Sequence, residues 1–376
     1  MKVRRKKNPH NTKLWINTMI GVLCGFIVVV FIIVLLTQTG KPKVEQQLSP
    51  AANAQAPVAT QTEAPTEAPT EPPALLTYPT PADNLTELTA SNISSEHAVL
   101  LDVENNTVLA QRDPDARIYP ASMTKIMTLL VAAEHIENMD DTFTMTYEII
   151  APLIEAEASR AGFEEGETVS LKDLMYGIAL PSGADATTAI AIYLCGSEDE
   201  FVKLMNEKVE ELGLKNTHFT NDPNHYSTAT DIAMLMSAVM KNDTCREILG
   251  TYQYTTTATE QHPEGILLES TMYSRMYGNE VTGISIDAGK TGYTDEAGNC
   301  LVSYATDTEG KHFIAVTAKG PTYWRAVFDT FAIYGLIHNG YPMPTDLSPV
   351  ETDENGSAVD PTDTFTDTTD TAVPAA

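Results

Sequence analysis

Leu14 to Gly40 contains no charged side chain, and it follows thirteen residues that hold six basic ones, Lys2, Arg4, Arg5, Lys6, Lys7 and Lys13. As a helix, Leu14 to Leu36 would measure about 34 Å at about 1.5 Å per residue, against a hydrocarbon core of about 30 Å. The sequence therefore predicts a single membrane span at 14–36. The apolar run continues into Thr37-Gln38-Thr39-Gly40 without a small-x-small cleavage site, so the span is expected to persist as an anchor. Basic residues before it predict a cytoplasmic tip at 1–13 and an extracytoplasmic location for everything after it, at the cell membrane.

Both flanks of the remaining chain lack the means to build a core. Residues 37–92 are dominated by Ala, Pro, Thr, Gln and Glu, with the near repeat Thr62-Glu63-Ala64-Pro65, Thr66-Glu67-Ala68-Pro69, Thr70-Glu71-Pro72-Pro73. This composition predicts a disordered linker. Residues 343–376 predict an acidic disordered tail, with eight acidic residues and no basic one from Asp346 onward. One folded domain is expected at 93–342. The net charge of −28 argues against nucleic acid as a partner, because a backbone binder needs a basic stripe. Cys24 falls within the span, and Cys195, Cys245 and Cys300 are far apart and odd in number, so free thiols are expected.

Within 93–342, Ala98 to Val103, Asn105-Asn106 and Thr107 to Ala110 predict a hairpin. Met123, Ile126, Met127, Leu130 and Val131 share one helical face, and Pro120 suits the turn before it, so a helix is expected from near Ala121. Ser197-Glu198-Asp199-Glu200 reads as a capping box for a helix that ends at Gly213, and 230–240 reads as another helix. After Gly283 the pattern shortens: 284–287, 300–305 and 312–318 predict strands, and 322–337 a final helix. Strands from both ends of the domain with helices between them give an α+β layered fold.

Ser122-Met123-Thr124-Lys125 places a hydroxyl and an amine three residues apart on one helix face. A serine needs a base, and a desolvated lysine at a positive helix end can lose its proton to become one. Alone the pattern is weak. Its companions are Ser182-Gly183-Ala184, at a break between helical stretches, and Lys290-Thr291-Gly292, after a strand.

With these in order, the sequence resembles the low-molecular-weight penicillin-binding D-alanyl-D-alanine carboxypeptidases, the S11 serine peptidases. Tyr119 to Thr128, Asp222 to Ala229 and Gly289 to Thr294 are similar to the family's signature segments. The resemblance covers roughly 95–340. It implies a β-lactamase/transpeptidase-like fold, a penicilloyl-serine transferase, with an antiparallel sheet flanked by helices and a mostly helical lobe. It also implies that Ser122 is the nucleophile, Lys125 its base and Ser182 a proton relay. Lys290 and Thr291 would hold the terminal carboxylate, Gly292 would admit the substrate backbone, and Tyr293 would lend an oxyanion-binding N–H. The implied substrate is the peptidoglycan stem peptide, the implied covalent inhibitors are β-lactams, and no cofactor or metal is called for.

Two departures accompany the match. Ala184 stands where the family usually has asparagine, and Asp185 or a water is expected to cover part of that role, with turnover lowered rather than abolished. Phe219-Thr220-Asn221-Asp222 is shorter than the corresponding loop of the family. A downstream β-rich domain, common among relatives, is not expected. Rival readings fare worse. A class A β-lactamase needs a Glu-x-x-Leu-Asn element, and Glu211-Leu212-Gly213-Leu214-Lys215 reads instead as a helix end. A zinc peptidase needs clustered ligands, whereas His218 and His225 are seven apart and His135, His262 and His312 are scattered. A catalytically weakened cell-wall sensor or scaffold remains as the alternative.

Overall fold

Alternation within the strands decides the architecture. In His97–Asp102, Val99 and Leu101 join one hydrophobic cluster while Ala98 and Leu100 join another. In His312–Gly320, Ile314, Val316 and Ala318 face the first cluster, and Phe313 and Ala315 the second. The central strands thus bury both faces, which is why their apolar positions run consecutively. A sheet of this kind needs a layer of helices on each side.

The computed structural model describes residues 76–221, 225–276 and 281–338. Its strands are β1 (Thr80–Glu87), β2 (His97–Asp102), β3 (Thr107–Arg112), β4 (Thr142–Thr144), β5 (Thr168–Ser170), β6 (Gln253–Thr255), β7 (Leu267–Glu269), β8 (Ile284–Thr294), β9 (Gly298–Asp307) and β10 (His312–Gly320). The main sheet has the order β1-β3-β2-β10-β9-β8. Five of its strands are antiparallel, but β1 runs parallel to β3, so the sheet is mixed rather than antiparallel throughout. β4–β5 and β6–β7 are separate hairpin-like pairs.

The helices are α1 (Lys125–His135), α2 (Tyr147–Glu155), α3 (Leu171–Ala179), α4 (Ala184–Cys195), α5 (Glu198–Leu212), α6 (Ala229–Val239), α7 (Asp243–Leu249), the short α8 (Tyr273–Met276) and α9 (Tyr323–His338). The larger core lies between the sheet and the helical lobe, and the smaller between the sheet and α9. Ser197 caps α5 by accepting from the Glu200 amide at 3.2 Å, and Gly213 ends that helix with φ +70°. The helix expected from Ala121 begins with a 3-10 turn, Ala121–Thr124, before α1 takes over. Cys195, Cys245 and Cys300 are free, and the last two are buried.

The linker expected over 37–92 is corrected at its C-terminal end. Residues 80–87 form β1, Leu88 and Ile93 are buried, and Tyr78 donates to Asp231 at 2.5 Å while accepting from the Lys215 amide at 2.7 Å. An edge strand keeps most of its side chains in solvent and tolerates Pro81, so its sequence carries no apolar alternation to give it away. The anchor expected at 14–36, the rest of the linker and the acidic tail lie outside the described residues. Among the described residues no helix is long and apolar enough to cross a membrane.

A linker tyrosine would be silent on mutation. Tyr78→Phe is instead expected to cost about 1–3 kcal/mol, since it strips partners from a buried carboxylate. The check is a thermal midpoint lower by at least about 2 °C.

Candidate active site

The candidate site is built from three chain segments, the first of them the 3-10 turn at Ala121–Thr124. Its backbone is strained at the first residue, Ala121, with φ +46°, a conformation that persists only where the surroundings hold it. Lys125 follows, and its Nζ lies 3.3 Å from Ser122 Oγ. Burial pushes the Lys125 ammonium down to about 8, against a smaller upward pull from Asp185. A hydroxyl and a candidate base are therefore paired, and a useful fraction of the amine is neutral near physiological pH.

The second segment is β8. A β-bulge between Ile286 and Ala288 shifts its register on β9, after which Lys290, Thr291, Gly292 and Tyr293 pair with Val302, Leu301, Cys300 and Asn299. A Cβ on Gly292 would lie 2.9 Å from Pro120 O and 3.1 Å from Ser122 N, so only glycine lets the strand pass this close to the nucleophile's main chain. The Lys290 residue is 1% exposed, and its Nζ donates to Thr291 O at 3.1 Å. Burial first, then Lys125 and Arg275, depress its affinity for a proton well below the lysine norm. Thr291 Oγ1 lies 2.6 Å from Thr271 Oγ1. Tyr293 is 59% exposed, and its hydroxyl donates to Asp295 at 2.8 Å.

The third segment joins α3 to α4. Ser182 sits there with φ +66°, and its buried Oγ has no hydrogen-bond partner among the described residues. The Thr271 amide donates to Leu180 O at 3.1 Å, which ties this segment to the residue that meets Thr291. Asp185 does not take the place of the missing asparagine side chain. Its Oδ1 accepts from the Ala161 and Ala186 amides at 2.8 and 2.9 Å, and its Oδ2 from the Gly162 amide at 3.0 Å, so both oxygens are committed to main chain.

Arg275 escaped sequence reasoning. It lies on α8, its guanidinium stacks 4.9 Å from the Tyr323 ring centroid, and burial lowers its proton affinity. It has no carboxylate partner among the described residues, and neither does Lys290. The one signal was a cation in a segment otherwise rich in Met and Tyr, which is too common to stand out. The segment around Asp222 is described only from His225. There, Tyr226 pairs with His218, Ser227 pairs with Ile118, and the Arg117 guanidinium lies 4.0 Å over the Tyr226 ring. Upstream, Asn206 bonds both the amide and the carbonyl of Phe219 at 2.9 Å, fixing the base of the short loop to α5. Glu211 pairs with Lys208 at 2.6 Å as a helix-terminal residue, remote in role from any water-activating glutamate.

A model of the D-alanyl-D-alanine carboxypeptidases, peptidase S11, matches residues 84–322. The chain belongs to this family. Among S11 relatives, D-alanyl-D-alanine carboxypeptidase DacF of Bacillus subtilis is 35% identical over 217 residues, 56% of this chain and 54% of DacF. D-alanyl-D-alanine carboxypeptidase DacA of Haemophilus influenzae is 32% identical over 63% of this chain and 60% of its own length. The chain thus spans little more than half of these relatives. The Streptomyces K15 DD-transpeptidase structure is 28% identical with a TM-score of 0.60, covering 67% of this chain and 99% of that one. Penicillin-binding protein 5 of Haemophilus influenzae is 28% identical, covering 66% of this chain and 72% of that one at a TM-score of 0.59. The S11 fold is therefore the fold of this domain, a penicilloyl-serine transferase with α+β layers.

Gly292→Ala tests the close approach of β8. The added methyl meets backbone on two sides, so penicillin acylation is expected to fall by at least about 100-fold, in line with a misplacement of about 1 Å. Circular dichroism should show the fold retained. Wild-type labelling by Gly292→Ala would mean the strand can yield.

Proposed function

We propose that this protein is a serine D-alanyl-D-alanine carboxypeptidase that removes the terminal D-alanine from peptidoglycan stem pentapeptides. The observation that carries the reading is Lys125 Nζ at 3.3 Å from Ser122 Oγ, with β8 packed against the Ser122 main chain.

Ser122 Oγ attacks the carbonyl carbon of the penultimate D-alanine while Lys125 accepts its proton. The oxyanion forms between the main-chain N–H groups of Ser122 and Tyr293, where each such donor is worth about 3 kcal/mol in acyl transfer. Lys290, Thr291 and Arg275 attract the substrate carboxylate, and its arrival offsets the repulsion that weakens the Lys290 charge. Ser182 passes a proton to the departing D-alanine nitrogen, and water then hydrolyses the ester on Ser122. No metal or cofactor enters the scheme. β-Lactams, cyclic acyl donors with a carboxylate, enter the same cleft and acylate Ser122.

The uncharged stretch Leu14–Leu36 supports attachment to the cell membrane with the catalytic domain outside it. The net charge of −28 disfavours a polyanion as partner. A sensor or scaffold reading draws only on Ala184 and the short loop at Phe219-Thr220-Asn221-Asp222, and the experiment separates it. A diacetyl-Lys-D-Ala-D-Ala peptide incubated with the wild type is expected to yield free D-alanine, with Ser122→Ala silent. Penicillin labelling without D-alanine release would transfer the protein to the sensor class.

The proton on Lys125 sets two pH dependences. The acylation rate should climb through about pH 8 as the amine becomes neutral. Because the folded-state value lies below the ordinary lysine value, burying the charge destabilises the fold in full below about pH 8, by up to about 3 kcal/mol. Lys125→Met is therefore expected to abolish acylation and raise the thermal midpoint at pH 7. That gain should shrink between pH 8 and 10.5, read by calorimetry across the range.

A further inference from the structure

Ser182 presents a physical problem that the reaction scheme does not solve. It is a non-glycine residue in the left-handed region, 6% exposed, with a hydroxyl that has no hydrogen-bond partner among the described residues. The neighbouring side chain that could reach it, Ala184, has no polar atom. Whatever aims this hydroxyl must act through the main chain.

The main chain that follows Ser182 is bonded at both Gly183 and Ala184. The Gly183 amide donates to Gly177 O at 2.8 Å, the Ala184 amide to Ser159 O at 2.8 Å, and Thr187 Oγ1 to Gly183 O at 2.8 Å. Asp185 closes the structure. It is fully buried, and its carboxylate collects the amides of Ala161 and Gly162 from the loop after α2 together with that of Ala186 on α4. A Cβ on Gly183 would fall 2.6 Å from Asp185 Oδ1, 2.8 Å from Ala161 N and 2.8 Å from Gly177 O. The loop, the carboxylate and the α3–α4 joint therefore fill one tightly shared space. The far end of the loop is held as well, since buried Glu167 accepts from the Glu164 amide at 2.8 Å, from Thr259 Oγ1 at 2.7 Å and pairs with His262 Nδ1 at 2.9 Å.

We propose that Asp185 is a positioning residue for Ser182: by clamping the 159–162 loop onto the start of α4, it holds the strained joint that aims the Ser182 hydroxyl, a task left wholly to main chain because residue 184 is alanine. The proposal rests on the carboxypeptidase reading. Asp185 touches no reacting atom. Neutral asparagine in its place can accept from the amides but turns an N–H2 toward one of them, so the clamp opens on one side. The charged groups facing the site are Asp185, which supports the Lys125 charge, and Lys290 and Arg275, which oppose each other across β8 and α8.

The test follows penicillin acylation rate against pH for the wild type, Asp185→Asn, Ala184→Asn, the double variant and Gly183→Ala, with thermal unfolding alongside. Asp185→Asn is expected to acylate on the order of 10- to 100-fold more slowly at its plateau. Its midpoint should move below the wild type's, and Ala184→Asn should recover part of the loss. Gly183→Ala, which displaces the carboxylate while keeping its charge, should slow acylation without the downward move, and it carries the test if Asp185→Asn does not fold. Wild-type rates in Gly183→Ala or in a folded Asp185→Asn would overturn the proposal, as would Ala184→Asn acting identically in both backgrounds. A wild type that never acylates would sink the carboxypeptidase reading instead.

Discussion

The approach of β8 to the turn that carries Ser122 is the contact on which the rest of the site depends. The sheet fixes β8 through its pairing with β9, and the helical lobe fixes the turn through the buried face of α1. Only a residue without Cβ allows these two bodies to meet at about 3 Å, so Gly292 sets the separation of the lobes. With that separation set, the residues flanking Gly292 on β8, Thr291 and Tyr293, lie beside the main chain of the turn that carries Ser122. A rigid strand is a better carrier for such groups than a loop, since its neighbours hold it at several points.

Electrostatics in the cleft run against those of the chain. The sequence carries a net charge of −28, yet Lys125, Lys290 and Arg275 converge with Asp185 as the nearby acid. Burial weakens each cation's hold on its proton, and at Lys290 the charges of Lys125 and Arg275 weaken it further. For Lys125 the weakening is useful, because it makes the amine a base. For Lys290, on the proposed mechanism, it is a strain that an incoming carboxylate would relieve. On the proposed mechanism one arrangement serves both proton abstraction and anion attraction, in a cleft whose cations contrast with the acidity of the sequence.

Sequence reasoning reached the parts whose physics is local. Ser122 and Lys125 share a face because they are three apart on a helix, and the Ser197 cap and Gly213 stop follow from hydrogen bonding within a few residues. Lys290 to Tyr293 were legible only as a motif that follows a strand expected at 284–287, whereas the strand runs on through them to Thr294. What escaped is long-range. Asp185 acts on amides more than twenty residues earlier, Arg275 reaches the site from a four-residue helix, and β1 earns its place only by pairing with β3. Polarity hid β1, as composition alone cannot tell an edge strand from a linker. The expectation that Asp185 would stand in for an amide failed because its partners lie in a loop that no local pattern connects to it.

The ends of the sheet complete the logic. β1 covers the outer edge of β3, while β8 is the terminal strand at the other side. Six strands at about 4.8 Å spacing put these edges about 24 Å apart. The first described strand therefore lies at the edge away from Ser122, and among the described residues no strand pairs with the outer edge of β8. Ala121 and Ser182 are two of the six described non-glycine residues that adopt positive φ. A side chain at such a position is held only if the surroundings are stiff. The doubly buried strands supply that stiffness under Ser122, and the Asp185 clamp supplies it under Ser182, so the rigidity of each lobe is expressed at a single hydroxyl.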